Sequence, residues 1–437
     1  MVNNINVLIL AAGTGTRMKS KKPKVLHEVA GKPMLNHIID TCIDAGIKNI
    51  SVVLGNKQEI IKEFIPNNIN IIHQKKQLGT GDAIKSARNY LNNFNGKILI
   101  LYGDMPLIQK ETLKGIIKST NNNVSIMSFM TDYPKGYGRV IINEDKSVKV
   151  IEEKNTTFKE KNNKLCYSGI LCAESKKIFL ALDKIEKNKN KREYLFTDIF
   201  HVLNKLSIPI KVLKGNEAEL KGVNNREQLA EVDKIFQDRL KAYYMKKGVT
   251  ILSPDTVYIT YGSKIGYDVL IEPNSFIGKN VNIKSSVTIK HGCSIEDAVI
   301  DSGCEIGPMS RIRKNTKIGN NSKIGNFVEV KNSIIGNNSK VNHLAYIGDA
   351  KIGNKTNIGA GTITCNYDGI NKNKTFIGNN VFIGSNCALI APIKINDSSF
   401  IAAGSTISKN VSKNDFSIAR ASQNIIKNAG KKFLKGK

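Results

Sequence analysis

Two places in this 437-residue chain combine residue types and spacing suited to phosphate chemistry. In the first, Ala11-Ala12-Gly13-Thr14-Gly15-Thr16-Arg17-Met18 follows an apolar run, and Lys24 stands close behind in Lys22-Pro23-Lys24-Val25-Leu26. Small residues leave backbone N–H groups open to a polyphosphate, while an arginine and a lysine neutralise the charge that develops on it during transfer. The loop has neither the third glycine of a dinucleotide fingerprint nor the Gly-Lys-Ser/Thr ending of a P-loop, so neither cofactor class is supported. In the second place, Leu101-Tyr102-Gly103-Asp104-Met105-Pro106 ends an apolar run on a single carboxylate. Magnesium suits such a position, because it keeps several waters and takes one or two protein oxygens besides substrate phosphate. By itself the first pattern also occurs as a plain turn, and the aspartate as a turn or helix-cap residue. The glycine-rich turn Gln77-Leu78-Gly79-Thr80-Gly81 shifts the balance toward a ligand site.

The elements that must hold these residues are legible in the hydrophobic pattern. Residues 6–10 form an apolar run suited to a buried parallel strand. Further strand-like runs at 50–54, 69–72 and 98–101 alternate with amphipathic segments at 33–45 and 83–91. That is the βαβ rhythm of an open parallel sheet, a Rossmann-like α/β domain with ligands at the carboxyl ends of its strands.

The C-terminal two-fifths follow a different rule. From about residue 259 to 407 an aliphatic residue returns every six positions, most cleanly at Ile265, Ile271, Ile277, Ile283, Ile289 and Ile295. A second small apolar residue sits two places earlier, as in Val281, Val287 and Cys293, and turn formers such as Lys284-Ser285-Ser286 lie between. A six-residue unit buries nothing alone, so the segment must wind into a solenoid of stacked coils, a β-helix. The register resumes at Ile306, slips by one at Ile335 and Ile352, and breaks between Ile363 and Ile377. That break should leave the coil as a loop, either a binding excursion or a tolerated insertion.

Composition narrows the class. A chain of 437 residues predicts two or three domains. The formal charge of +29 comes almost wholly from lysine, with nine arginines, and is spread along the chain without interleaved aromatic residues, which argues against nucleic acid and leaves phosphorylated small molecules as partners. Seven scattered cysteines, odd in number and never spaced Cys-x-x-Cys, argue against a disulfide framework and a zinc site. No apolar run would span a bilayer and the N-terminus lacks the features of a signal peptide, so a cytoplasmic protein without membrane attachment is expected.

Taken together, the motifs identify a relationship. Leu10-Ala11-Ala12-Gly13-x-Gly-Thr-Arg-Met, Pro23-Lys24-Val25-Leu26, Gln77-Leu78-Gly79-Thr80-Gly81, Tyr102-Gly103-Asp104, Gly136-Tyr137-Gly138-Arg139 and Gly222-Val223-Asn224-Asn225-Arg226 resemble the nucleotidyltransferase half of bacterial bifunctional N-acetylglucosamine-1-phosphate uridyltransferase/glucosamine-1-phosphate acetyltransferase. Gly325-Asn326-Phe327-Val328-Glu329-Val330-Lys331, His343-Leu344-Ala345-Tyr346-Ile347-Gly348-Asp349 and Asn357-Ile358-Gly359-Ala360-Gly361-Thr362-Ile363-Thr364-Cys365-Asn366-Tyr367-Asp368-Gly369 resemble its acetyltransferase half. The match runs nearly end to end.

The helical spacing of Leu229, Val232, Ile235, Phe236, Leu240 and Tyr243 predicts one long helix, a linker over residues 226–248, and the resemblance implies a uridyltransferase domain over 1–225 before it and a left-handed β-helix acetyltransferase domain with a short basic tail over 249–437 after it. It also implies a homotrimer. Arg17 and Lys24 would be catalytic for uridylyl transfer from UTP. Leu10, Ala11, Ala12, Gly13, Lys24, Gln74, Gly79, Thr80, Tyr102, Gly103, Asp104, Gly138, Glu152, Tyr167 and Asn224 would hold the UDP-sugar, and Asp104 and Asn224 the Mg²⁺. His343 would be the general base of acetyl transfer, a task for which an imidazole is suited near neutral pH. Arg313, Lys331, Tyr346, Asn357 and Lys372 would bind glucosamine-1-phosphate. Ala360, Asn366, Tyr367, Ser385, Ala403 and Arg420 would line the acetyl-CoA site.

Tyr167 departs from the family pattern, standing where relatives carry an asparagine that contacts the sugar nucleotide. Its phenol either reaches the sugar with rearranged hydrogen bonds or turns into the core. Two rival readings of the whole chain remain: a single-activity nucleotidyltransferase whose solenoid only oligomerises, and a non-catalytic scaffold.

Overall fold

Asn6-Val7-Leu8-Ile9-Leu10 offers no polar face, and the strand it forms, β1 (Ile5–Leu10), is buried along its whole length between two parallel neighbours. The computed structural model describes residues 4–55, 59–187 and 193–434, and the chain divides into two units, Met1–Phe236 and Gln237–Lys437. In the first unit, β1 leads through α1 (Met34–Asp44) to β2 (Asn49–Gly55), β3 (Asn70–Gln74), α2 (Thr80–Lys85) and β4 (Lys97–Tyr102). These strands are parallel, in the spatial order β4-β1-β2-β3. The helix expected over 83–91 begins three residues earlier, at the glycine turn, and ends sooner. Ser86 Oγ bonds back to Asp82 O at 2.9 Å, a competing local bond that weakens continuation.

The expectation of an all-parallel sheet is corrected by the second half of the unit. After α3 (Lys110–Ser119) and β5 (Val124–Met130), a hairpin of β6 (Gly138–Ile142) and β7 (Val148–Ile151) precedes β8 (Leu165–Glu174). β8 lies between β4 and β5 and runs antiparallel to both, so the sheet is mixed. Between hairpin and strand lie short helical turns, Glu153–Asn155 and Phe158–Lys161, in place of a full crossover helix, and the chain returns in the antiparallel sense. α4 (Ser175–Asp183) and α5 (Ile199–Lys205) follow, and β9 (Ile210–Lys214) closes the far edge parallel to β5. One sheet face packs Leu35, Ile38, Leu113 and Ile116 of α1 and α3, and the other packs Ile84, Ile178 and Phe200 of α2, α4 and α5.

In the second unit the six-residue period becomes a three-faced parallel solenoid, with sheets of 10, 9 and 8 strands. Successive isoleucine anchors rotate from face to face, so Ile271 stacks on Ile289, Ile277 on Ile295 and Ile265 on Ile283. All six are buried in one continuous core. The one-residue slips are absorbed in the turns, because Ile318, Ile335 and Ile352 remain stacked. Asparagine, abundant throughout the chain, has a structural use here. Asn274, Asn280, Asn321, Asn338 and Asn380 all occupy the left-handed region at corners, which asparagine tolerates better than other residues bearing a Cβ. A second asparagine ladder climbs one corner, where Asn320, Asn337, Asn354 and Asn379 each accept a backbone N–H from the coil below at 2.7–3.1 Å. Ile306 is fully buried and stacked on both sides. Ile306→Ala is expected to destabilise the solenoid by about 2–5 kcal/mol, read as a lower urea midpoint of the second unit.

The segment expected as a linker is helix α6 (Arg226–Lys246), whose halves belong to different units. In the first unit Val232 packs with Met18, Met34 and Leu107, and Asp233 accepts the Ala30 N–H at 2.6 Å. In the second, Gln237 donates to Ile259 O at 2.8 Å and accepts its N–H at 3.0 Å, while Lys241 Nζ donates to Pro254 O at 2.7 Å. These bonds satisfy backbone groups of the first coils, where stacking has no preceding partner. Of the basic tail and the N-terminus, residues 435–437 and 1–3 lie outside the described residues.

Candidate active sites

The first site lies where β1, β3 and β4 end. Leu10, Ala11, Ala12, Gly13, Lys24, Gln74, Gly79, Thr80, Tyr102, Asp104 and Asn224 line one cleft of about 540 Å³. Larger in volume, a concavity of about 960 Å³ opens at the other ends of β1 and β4, lined by Lys97, Lys114 and Lys176 among others. The smaller cleft is the better candidate on physical grounds, because open α/β sheets bind ligands at strand carboxyl ends.

Backbone bonds and glycines bring the loops together. Ala11 N donates to Val53 O and Gly103 N to Leu10 O, both at 2.9 Å. A side chain at Gly103 would press on Val25, which lines the cleft, at 3.0 Å. Gly79 has φ +101°, and a Cβ there would lie 2.6 Å from Tyr194 O, so only glycine fits this turn. Gln74 Nε2 pins the turn through Gly79 O at 3.1 Å and Asp82 at 2.7 Å, and Gln77 Nε2 donates to Ala12 O at 2.5 Å. Gln77 and Glu193, which also line the cleft, were not singled out from sequence; Gln77 lay within a quoted motif, whereas nothing around Glu193 marks it.

Asp104 and Asn224 converge on one cation. Lys24 Nζ pairs with the Asp104 carboxylate and donates to Asn224 Oδ1 at 3.0 Å. Arg17 Nη2 donates to the same Asn224 oxygen at 2.9 Å. The Val223 N–H bonds to Asp104 O at 2.9 Å, and Gln228 Oε1 accepts the Asn224 N–H at 2.7 Å, so the two oxygens are held side by side. Two hard oxygens fit the protein's share of a magnesium shell. Among the described residues no group of three or more His, Cys, Asp or Glu offers a fuller ligand set. Tyr102 is partly buried at the cleft wall, and its desolvation, with the nearby Glu152 and Asp104 carboxylates, drives its pKa upward, so the phenol stays a donor.

On the neighbouring hairpin, Gly138 pairs with Tyr167 across β6 and β8, and Glu152 accepts Thr197 Oγ1 at 3.1 Å. Tyr167 adopts the inward alternative: its ring is 7% exposed and meets Phe200 edge-on at 5.4 Å. Its hydroxyl is enclosed without a hydrogen-bond partner among the described residues, and burial raises its pKa well above the usual phenol value. A phenol gains far more from aromatic packing than a short amide would, which favours the inward position of this side chain. An enclosed, unpaired hydroxyl carries a desolvation penalty, and Tyr167→Phe is therefore expected to stabilise the protein by about 1 kcal/mol, read as a raised denaturation midpoint.

The second site lies on the solenoid. His343 occupies the corner between the first face (Lys340–His343) and the second face (Tyr346–Gly348). Backbone bonds at this corner run Leu344 N to Asn326 O at 3.0 Å, Gly361 N to His343 O at 3.2 Å, Asn386 N to Ala360 O at 2.7 Å and Gly404 N to Ser385 O at 2.7 Å. Asn326, His343, Ala360, Ser385 and Ala403 thus form one column, closed by Arg420, whose Nη1 donates to Ala403 O at 3.0 Å. Small residues beyond His343 leave the corner open for an extended ligand along the column. Asn357 and Tyr346 flank it on the two adjoining faces, Asn357 stacked on Lys340 and Tyr346 on Glu329.

At the far end of the second face are the cations. Arg313 Nη1 pairs with Glu329 at 2.6 Å, an acidic partner not singled out from the sequence. Lys331 is held below the usual lysine pKa, first by its hydrogen bond with Lys372 and also by its charge and that of Arg313. Crowded cations of this kind favour an arriving phosphate dianion. Lys372 belongs to the excursion that breaks the repeat, which leaves the coil after Ile363–Cys365 and returns at Thr375–Ile377. Tyr367 bridges to Lys372 across this loop and is exposed. Asn366 is buried, and its amide is spent on the Asp349 carboxylate at the loop base.

Comparison with known proteins follows the same division. Residues 7–157 match the MobA-like NTP transferase domain, 294–367 the GMPPB C-terminal domain and 374–409 the bacterial transferase hexapeptide of six repeats. The chain is 39% identical to the bifunctional protein GlmU of Zymomonas mobilis, covering 93% of this chain and 92% of that protein. It is 42% identical to the GlmU of Thermosipho melanesiensis over 93% of both chains, and 41% identical to that of Bartonella bacilliformis over 94% and 92%.

Proposed function

This chain belongs to the bifunctional GlmU family and is both a uridyltransferase and an acetyltransferase, with a nucleotidyltransferase α/β domain before a left-handed parallel β-helix; from that premise we propose how its residues divide the work. It acetylates glucosamine-1-phosphate with acetyl-CoA, then transfers UMP from UTP to the N-acetylglucosamine-1-phosphate formed. The separation of the two motif sets, one in the cleft of the first unit and one on the corner of the second, carries the assignment.

In the first unit, residues 10–13 and the Gly79–Thr80 turn receive the nucleotide, and the hairpin carrying Gly138 and Glu152 receives the sugar. A phosphate oxygen of the sugar phosphate attacks the α-phosphorus of UTP. The P–O bond to pyrophosphate breaks, and the leaving group carries off its electrons. Arg17 and Lys24 neutralise the charge that grows on the phosphates. Asp104 and Asn224 would hold Mg²⁺, which supplies further charge neutralisation when bound. The ammonium of Lys24 already sits between those two oxygens, so the same pair can hand this lysine to substrate phosphate.

In the second unit, Arg313, Lys331 and Lys372 take the phosphate of glucosamine-1-phosphate, with Tyr346 and Asn357 beside the sugar. Acetyl-CoA lies along Ala360, Ser385 and Ala403, with Asn366, Tyr367 and Arg420 at its margins. His343 removes a proton as the amine attacks the thioester carbonyl. The C–S bond then breaks, and the sulfur leaves with its electrons and receives a proton. No described helix is long and apolar enough to cross a membrane. A cytoplasmic homotrimer, with acetyl-CoA between subunits, is the assembly the relationship supports.

The test is one mixture of purified protein, glucosamine-1-phosphate, acetyl-CoA, UTP and Mg²⁺. Free thiol and pyrophosphate should both appear, and pyrophosphate should require prior acetylation. Pyrophosphate without thiol release from acetyl-CoA would reduce the solenoid to an assembly device.

A further inference from the structure

One coil below His343 on the same corner stands Asn326, whose side-chain oxygen lies 2.6 Å from His343 Nδ1. The solenoid imposes this pairing, because Asn326 and His343 are register partners and Leu344 N donates to Asn326 O at 3.0 Å. Each is followed by a left-handed residue, Phe327 at φ +55° and Leu344 at φ +49°, so both corners turn in the same way. The imidazole is exposed, and this is its one side-chain hydrogen bond among the described residues.

A ring nitrogen that donates its proton cannot accept one, so the partner of Nδ1 decides which nitrogen can act as a base. Resting on the general-base role given to His343 above, we propose that Asn326 is a positioning residue for acetyl transfer: its carbonyl takes the Nδ1–H and leaves the proton-accepting lone pair on Nε2, the side of the ring away from Asn326. An amide does this without a full charge. It fixes the tautomer and ring angle without stabilising the imidazolium as a carboxylate would, so the proton taken from the amine remains easy to pass on. Every coil repeats this corner, but only here do an amide and an imidazole occupy adjacent steps; the steps above carry Ala360, Ser385 and Ala403.

The experiment compares Asn326→Leu and Asn326→Asp in the full chain, following thiol release from acetyl-CoA across the neutral pH range. Leucine removes the acceptor, and kcat should fall by about tenfold, with KM for both substrates and the uridyltransferase rate little changed. Aspartate keeps the acceptor and adds a charge that favours the imidazolium. Its activity should persist while the acidic limb of the profile moves to higher pH. The other ionisable groups on the coils packed here, Lys323 and Lys340 on the first face and Glu329, Arg313 and Tyr346 on the second, are the same in both variants. Unchanged kcat in Asn326→Leu, or a loss in Asn326→Asp matching leucine with no displaced limb, overturns the proposal alone; the latter is the result expected if the amide donated to Nδ1. Retained acetyl transfer in a parallel His343→Ala variant overturns the base assignment and this proposal with it.

Discussion

Asp104→Ala is expected to lower uridylyl transfer by about a hundredfold or more while thiol release from acetyl-CoA continues at the normal rate. The carboxylate is the only full negative charge in the pair of oxygens that Lys24 bridges, and Asn224 offers only a neutral amide oxygen in its place. Without Asp104 the hard-oxygen site is reduced to one neutral ligand, and Lys24 loses the partner that aims it. The variant should also need more Mg²⁺ for half-maximal rate, which a titration of pyrophosphate release against Mg²⁺ measures. Loss of both activities in a folded protein would count against two independent sites. Undiminished uridylyl transfer would remove Asp104 from the chemistry altogether.

The mirror experiment is His343→Ala, for which acetyl transfer should fall by about 10²–10⁴-fold. Formation of UDP-N-acetylglucosamine from supplied N-acetylglucosamine-1-phosphate should be unaffected. His343 is exposed at a corner and stands outside the solenoid core, so the substitution should leave the core of Ile324, Val341 and Ile358 intact. An unchanged denaturation midpoint would separate lost chemistry from lost structure. Near-normal acetylation would return His343 to a corner residue without a catalytic task.

How much of this was legible beforehand depends on the range of the interactions involved. The six-residue period specified the solenoid, because each anchor must point inward and the next coil must stack on it, as Ile265 does on Ile283. The break after Ile363 marked the excursion that carries Asn366, Tyr367 and Lys372 for the same reason. The first strand and its small-residue loop were equally readable from local pattern. Antiparallel β8 was not, since hydrophobicity shows that a strand is buried but not which neighbour it joins or in which sense.

The sequence by itself determined two kinds of domain, the strands and turns that present the phosphate-binding loop, and the motifs that link the chain to its family. Tertiary structure alone decided which of those residues meet. Arg17 and Lys24 share an oxygen of Asn224, 207 and 200 positions further along the chain, and no local rule predicts a contact closed by an entire domain. Tyr167 turned inward because Phe200 is there to receive its ring. Asn326 and His343 met because a coil brings residues 17 positions apart into register. Periodicity acts between neighbours and survives in the one-dimensional string, whereas a site is an intersection of distant segments and exists only once the core has brought them together.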